Sequence, residues 1–179
     1  NLKKVITTET GLLNESLNII PNAIRHIHLM GICGTAMASL AGMLKQMGYH
    51  ITGSDRNVYP PMSIFLERLD IPVQQGYSPA NLYPNPDLVV VGNVISRQNP
   101  EAVELGMLKI PYLSMPQALA AFAIKDKTSI VVSGTHGKTT TSSLVAHVLE
   151  TAGMDPGFMI GGIINNFQSS FKIGNGPYF

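Results

Sequence analysis

The sequence predicts an α/β protein: a parallel sheet with helices on its faces, followed by the start of a second α/β unit. Three observations carry this. Strand and helix signals alternate along the chain, the pattern of parallel strands joined by helical crossovers. Two glycine-rich turns, at 31–37 and 134–140, each follow a short apolar run and open a helical pattern. Apolar residues make up 45% of the chain and charged ones 13%, which suits strands covered on both sides and argues against disorder.

Residues 26–30 (His-Ile-His-Leu-Met) form the first strand. A helix over 35–47 follows, because Met37, Leu40, Ala41, Leu44 and Met47 recur on one face at helical spacing. A second strand spans 49–52. Pro60 and Pro61 open a helix to Leu69, since proline is tolerated where the first-turn N–H lacks a partner anyway. Short strands are expected at 73–75, 88–91 and 111–113, with a turn at 78–85 and a helix over 100–107 between them. Residues 116–123 form a last helix before the charged hinge Lys125-Asp126-Lys127, where a domain boundary is placed.

Beyond the hinge, Ile130-Val131-Val132 reads as a β-branched strand, 138–151 as a helix and 157–160 as a strand-like run before a Gly/Asn-rich tail. The expected organisation is an extension (1–23), a first domain (24–124) and the beginning of a second (125–179). The extension shows a helical pattern at 12–19 and reads as a loosely held arm. About fifty residues after the hinge are too few for a nucleotide domain with its own core, so the chain reads as part of a longer protein.

A net charge of +1 provides no Lys/Arg stripe, so a nucleic-acid partner is not expected. The single cysteine, Cys33, precludes an internal disulfide and fits a reducing compartment, making the cytoplasm the expected location. Lys3 and Lys4 are followed by Thr7, Thr8 and Glu9, which interrupt any signal-peptide core. No apolar run reaches the length of a membrane span.

The segment Gly134-Thr135-His136-Gly137-Lys138-Thr139-Thr140 lies where a strand meets a helix. Backbone N–H groups there can converge on nucleotide phosphates, the Lys138 ammonium can neutralise β/γ charge, and the Thr139 hydroxyl can complete a Mg²⁺ shell. His136 sits inside the loop, within reach of a phosphate or a substrate carboxylate. The pattern departs from the usual phosphate loop: only Thr135 and His136 separate the glycines, and Val132 stands where an earlier glycine is common.

A second turn, Gly31-Ile32-Cys33-Gly34-Thr35-Ala36-Met37, follows the first strand, where Rossmann-like folds seat a pyrophosphate on a helix start. Gly31 and Ala36 fit the Gly-x-Gly-x-x-Gly/Ala pattern; Cys33 replaces the middle glycine and Gly34 follows it. Asp55, at the end of the second strand, can accept from a ribose hydroxyl or cap the Ser54-Asp55-Arg56-Asn57 segment. Arg97 and Asn99 follow the strand at 88–91, at the edge where open sheets bind ligands; a solvated loop charge is the other reading of Arg97. His26 and His28 share one strand face without a carboxylate or cysteine at metal-ligand spacing, which argues against zinc. His50 and His147 read as structural, and Met37 borders the turn.

Taken together, these residues resemble the Mur ligase family. Gly134 to Thr140 looks like its short P-loop, and Pro156-Gly157-Phe158-Met159-Ile160-Gly161-Gly162 is similar to the segment after it. The 31–37 turn, Gly53-Ser54-Asp55-Arg56-Asn57-Val58-Tyr59-Pro60-Pro61-Met62-Ser63, and Gly92-Asn93 with Arg97-Gln98-Asn99-Pro100 look like the first domain of its murein-recycling members. The resemblance covers about residues 24–179.

It implies a Rossmann-like UDP-sugar domain followed by the start of a P-loop ATPase domain, in an ATP- and Mg²⁺-dependent amide ligase. The implied substrates are UDP-N-acetylmuramate and the murein tripeptide L-alanyl-γ-D-glutamyl-meso-diaminopimelate, joined through an acyl phosphate. The implied catalytic groups are Lys138 and Thr139, with Thr139 toward Mg²⁺ and residues 134–140 on ATP. The implied UDP-sugar residues are Gly31, Cys33, Gly34, Thr35, Ala36, Met37, Asp55, Asn57, Asn93, Arg97 and Asn99. Members that add L-alanine to the same sugar nucleotide have a more glycine-rich first turn. Two other function classes stay open: an NAD-dependent oxidoreductase using the 31–36 turn, and a nucleotide-binding module without turnover. The acceptor domain and the family's acidic metal-binding segment would lie beyond Phe179.

Overall fold

A computed structural model describes residues 14–164, 167 and 169–179. The first unit is built from β1 (His26–Met30), α1 (Thr35–Gln46), β2 (His50–Asp55), α2 (Met62–Arg68), β3 (Val73–Gln75), β4 (Leu88–Val91), α3 (Pro100–Leu108), β5 (Tyr112–Ser114) and α4 (Met115–Leu119). All five strands run parallel in the order β3-β2-β1-β4-β5. The chain builds outward from β1 to β3 and then resumes on β1's other side with β4. At that reversal the connections leave the sheet in opposite directions, opening a crevice beyond the strand ends.

The pleat of β1 assigns its side chains to two cores. Ile27 and Leu29 join Leu40, Ala41 and Leu44 of α1, Leu66 of α2 and Ala118 of α4. Met30 faces the other side with Val89, Ala102 and Leu105. Both faces are therefore covered, which explains the near-continuous apolar character of β1 and β4.

His28 is buried on the α3 face, and a polar chain runs through it. One placement of protons satisfies every pair. His26 Nε2 donates to Thr52 Oγ1 at 2.8 Å, the Thr52 hydroxyl donates to His28 Nδ1 at 2.8 Å, and His28 Nε2 donates to Glu101 Oε1 at 2.9 Å. Burial, then the neighbouring His50 and His28, hold His26 below its ordinary value, with Asp87 acting weakly in the opposite sense. An imidazole whose folded pKa is depressed favours the native state above the unfolded value, and that contribution fades as pH falls through the folded pKa. Stability should therefore decline as pH drops below about 6.5, the unfolded value. Urea titrations at pH 7.5 and 5.5 should show that decline shrinking in His26→Asn.

Past α4 the chain makes one π-type turn, Ala120–Ile124, and enters the second unit: α5 (Lys138–Thr151), β6 (Phe158–Ile164) and β7 (Ser169–Lys172). β6 and β7 form an antiparallel hairpin packed on α1. Phe171 meets Met43 and Ala123 in a small core, and Ser170 Oγ lies 2.7 Å from Ser39 Oγ. Gly42 makes this seat possible, because a Cβ there would lie 2.5 Å from the Phe171 ring. Lys172 Nζ bridges Glu150 at 2.6 Å and Asp155 at 2.7 Å, and holds the Asp155 carboxyl down at about 2.

Four expectations need correction. β2 continues to Asp55 instead of ending at Thr52. The strand passes through Gly53 because only a glycine fits there: a Cβ would lie within 2.8 Å of both Ile32 and the Leu29 carbonyl. Residues 130–132 form no strand; one parallel bridge joins Thr128 to Tyr178, and Val131 is 82% exposed. A strand needs a partner ladder, and among the described residues only the 177–179 segment supplies one. The tail expected to be irregular after residue 160 contains a strand, β7. The helix expected over 12–19 is a 3₁₀ turn at Glu15–Leu17, its first two positions lying outside the described residues. Asn14 and Asn18 bind backbone groups instead of continuing a helix: Asn14 Oδ1 accepts from Ser16 N–H at 3.0 Å, and Asn18 Nδ2 donates to the Tyr112 carbonyl at 2.9 Å. Among the described residues no helix is long and apolar enough to cross a membrane.

Candidate functional site

The crevice at the β1/β4 reversal has a volume of about 960 Å³, the size of a nucleotide-scale ligand site. Its floor is the turn after β1. Gly31, at φ +80°, bends the chain in a conformation that suits glycine. The Gly31 and Ile32 N–H groups then donate to the Ser54 carbonyl at 2.8 and 3.1 Å. The Asp55 carboxylate buckles the same turn to the next loop, accepting from Cys33 N–H at 2.9 Å and Asn57 N–H at 3.0 Å.

The consequence for a ligand is specific. Cys33 N–H is already spoken for, so the groups left to meet an anion are those of the first turn of α1: Thr35, Ala36 and Met37. Gly34 is the N-cap and supplies no side-chain hydrogen bond. An uncapped helix start presents unpaired N–H groups and the positive end of the macrodipole. The Cys33 thiol is pushed up to about 11 by burial and then by Asp55, so it stays protonated at neutral pH and lines the floor as a neutral group.

Of the residues singled out from sequence, Gly31, Cys33, Gly34, Thr35, Ala36, Met37, Asp55, Asn57, Asn93 and Asn99 line this crevice, and Arg97 does not. Asn99 Oδ1 caps α3 by accepting from Glu101 N–H at 2.9 Å. Sequence reasoning missed Tyr59, Tyr77, Ser96 and Gln98, which also line it. Tyr59 and Gln98 fall inside the segments that carry the family resemblance but have no chemistry of their own there, whereas Tyr77 and Ser96 sit in loops with no motif; the strand order brings the four together. It also missed the partner of His28: Glu101, 73 residues away, is fully buried beside it.

The second glycine turn singled out from sequence is the loop before α5. Gly137, at φ +75°, is the N-cap of α5 and again offers no side-chain bond. The Lys138 side chain folds back over the loop, its Nζ donating to the carbonyls of Gly134 at 2.7 Å and Thr135 at 3.3 Å. Residues 134–141 are exposed. β6 runs alongside, and a Cβ at Gly162 would lie 3.6 Å from Thr139 Cγ2. Unpaired first-turn N–H groups, an ammonium and threonine hydroxyls form a donor set that fits a polyphosphate. For a divalent cation the loop offers neutral hydroxyls alone, and among the described residues no group of three or more His, Cys, Asp or Glu side chains converges.

Comparison with known proteins identifies the family. Residues 26–127 match the Mur ligase family, catalytic domain. The chain belongs to the Mur ligase family. A Mur ligase from Haemophilus influenzae, UDP-N-acetylmuramate–L-alanyl-γ-D-glutamyl-meso-2,6-diaminoheptandioate ligase, is 49% identical over 156 residues, covering 87% of this chain and 34% of its own length. The UDP-N-acetylmuramate–L-alanine ligase of Variovorax paradoxus is 40% identical over 158 residues, covering 88% of this chain and 32% of its own. A solved structure of UDP-N-acetylmuramate:L-alanyl-γ-D-glutamyl-meso-diaminopimelate ligase from Neisseria meningitidis superposes with a TM-score of 0.82 at 41% identity, over 88% of this chain and 52% of that one. This Mur ligase sequence thus spans about a third of the length of the curated relatives it matches. The α/β, Rossmann-like architecture expected from sequence is the fold these relatives share.

Proposed function

We propose that this chain is the sugar-nucleotide-binding part, with the opening of the ATP-binding part, of a cytoplasmic ligase. That ligase joins UDP-N-acetylmuramate to L-alanyl-γ-D-glutamyl-meso-diaminopimelate. One observation carries the reading: the uncapped start of α1 opens into a crevice of about 960 Å³ at the β1/β4 reversal, where a diphosphate would meet three N–H groups. In this reading residues 24–124 form the UDP-sugar domain and 125–179 begin the ATP domain. The higher identity to the tripeptide-ligating relative than to the L-alanine-adding one, 49% against 40%, favours the tripeptide as acceptor.

A carboxylate resists attack by an amine until it is activated. In the proposed sequence the lactyl carboxylate oxygen of the sugar nucleotide takes the γ-phosphoryl group of ATP, and ADP leaves. The tripeptide amine then attacks the acyl carbon, loses a proton and expels inorganic phosphate. Mg²⁺ would neutralise phosphate charge during the first transfer. Lys138 would swing from the Gly134 carbonyl to the transferring phosphoryl group, the N–H groups of Lys138, Thr139 and Thr140 would hold the phosphates, and the Thr139 hydroxyl would take one metal position. In the first domain Thr35, Ala36 and Met37 would receive the diphosphate. Asn57, Asn93 and Asn99 stand on the crevice walls toward the sugar and base, and Asp55 serves the site by fixing its floor.

Calorimetric titration of this chain with UDP-N-acetylmuramate, UDP and NAD tests the reading. One-to-one binding of the UDP compounds with no heat from NAD is expected. Tight NAD binding without a UDP-sugar response would overturn it and reinstate an oxidoreductase.

A further inference from the structure

Glu101 is a carboxylate with no exposed surface, outside the crevice, and nothing in the proposed chemistry uses it. Its surroundings explain its presence. Oε1 accepts from His28 Nε2 at 2.9 Å and from the Ser54 hydroxyl at 2.9 Å, and Oε2 accepts from Asn81 Nδ2 at 3.3 Å. The donors come from β1, from the end of β2 and from the 3₁₀ turn Pro79–Leu82, while Glu101 itself opens α3. Of these elements β2 and α3 line the crevice through Asp55 and Pro100, and β1 leads directly into its floor at Gly31. Asn81 also donates to the Gly76 carbonyl at 3.0 Å, next to the crevice residue Tyr77, and Asn99, capping Glu101 N–H, is a crevice residue as well.

Ser54 is the critical link. Its hydroxyl is held by Glu101, and its own carbonyl accepts the N–H groups of Gly31 and Ile32. We infer that Glu101 is a positioning residue for the sugar-nucleotide site: through Ser54 it sets the height and tilt of the Gly31–Ile32 turn, and so the aim of the α1 start at a bound diphosphate. The inference rests on the proposed reading of the crevice. A buried carboxylate is costly unless its lone pairs are filled, and here three side-chain donors, from His28, Ser54 and Asn81, serve them. That arrangement fixes four elements at one point. An apolar core would hold them together without defining their relative height.

Two variants separate this role from simple stability. Ser54→Ala removes only the hydroxyl link and leaves the carboxylate its other partners. Glu101→Gln keeps the shape but turns one oxygen into a donor facing Asn81. Both should weaken UDP-N-acetylmuramate and UDP binding by about tenfold, the scale of one hydrogen bond to a charged group. ATP binding should be unchanged. The backbone amide resonances of Gly31 and Ile32 should shift in both variants, a signature that a general loss of stability would not confine to those two positions. UDP affinity within twofold of wild type, or unmoved Gly31 and Ile32 resonances, would overturn the inference. If wild type itself fails to bind UDP compounds, the reading of the crevice falls, and the two amide resonances still decide whether Glu101 sets the turn. Should Glu101→Gln not fold, Ser54→Ala carries both readouts alone.

Discussion

Replacing Lys138 with alanine is expected to slow phosphoryl transfer in a full-length ligase carrying this sequence by about two to three orders of magnitude, the cost of removing one preorganised charge-stabilising group elsewhere. The ammonium lies over a turn whose other donors are backbone N–H groups and neutral hydroxyls. It is the only fixed positive side chain between Gly134 and Thr141, so no neighbour in the loop can replace it. Its interactions with the carbonyls of Gly134 and Thr135 are on the surface, and surface pairs contribute little to folding. The melting temperature should therefore stay within a degree or two of wild type. Steady-state kinetics with saturating sugar nucleotide, following ADP release, separates the effects: kcat should fall far more than KM for ATP rises. An undiminished kcat would remove Lys138 from the chemistry.

The second large effect belongs to the fold. Leu29→Ala should destabilise the protein by about 2–5 kcal/mol. Leu29 is fully buried in β1, between β2 and β4, against the helices of the α1 face. Truncation there removes methylenes from a site closed on every side, and the strands, fixed by ladder bonds to both neighbours, cannot collapse onto the void. Chemical denaturation should show a lower midpoint with the slope unchanged. The same truncation at Val94, which is 82% exposed, should move the midpoint hardly at all, and equal effects at the two sites would contradict the packing described here.

Much of the fold is legible in sequence because its strands are short apolar runs bounded by turns. β1, β3 and β4 fall where the runs at 26–30, 73–75 and 88–91 place them. The errors share a cause: a strand depends on its neighbour as well as on its own residues. Ile130-Val131-Val132 has the right composition but only the bond from Ile130 N–H to the Phe179 carbonyl alongside, whereas Gly53-Ser54-Asp55 has poor composition and pairs with both β1 and β3. Ser169–Lys172 carries no strand signal of its own and owes its extended form to β6.

The candidate site divides in the same way. The glycine turns and the acidic residue at a strand end are local patterns, so both helix-opening turns are readable in one dimension. Asp55 lies in the site, but its two hydrogen bonds run to Cys33 and Asn57 backbone groups, a detail that spacing does not reveal. Tyr77 and Glu101 depend on topology, since β3 and β4 lie on opposite sides of β1. No periodicity predicts that a histidine in the first strand will meet a carboxylate opening the third helix.

Helix α1 joins two duties that are usually kept apart. Its first turn opens to the crevice, while Ser39 and Gly42 on its flank form the socket for Ser170 and Phe171. The other strand of that hairpin borders the loop that bears Lys138 and Thr139. The helix therefore acts as a rigid strut between the two receptors, and the lobes cannot slide past each other without lifting an aromatic ring out of a notch that only a hydrogen-sized side chain leaves open.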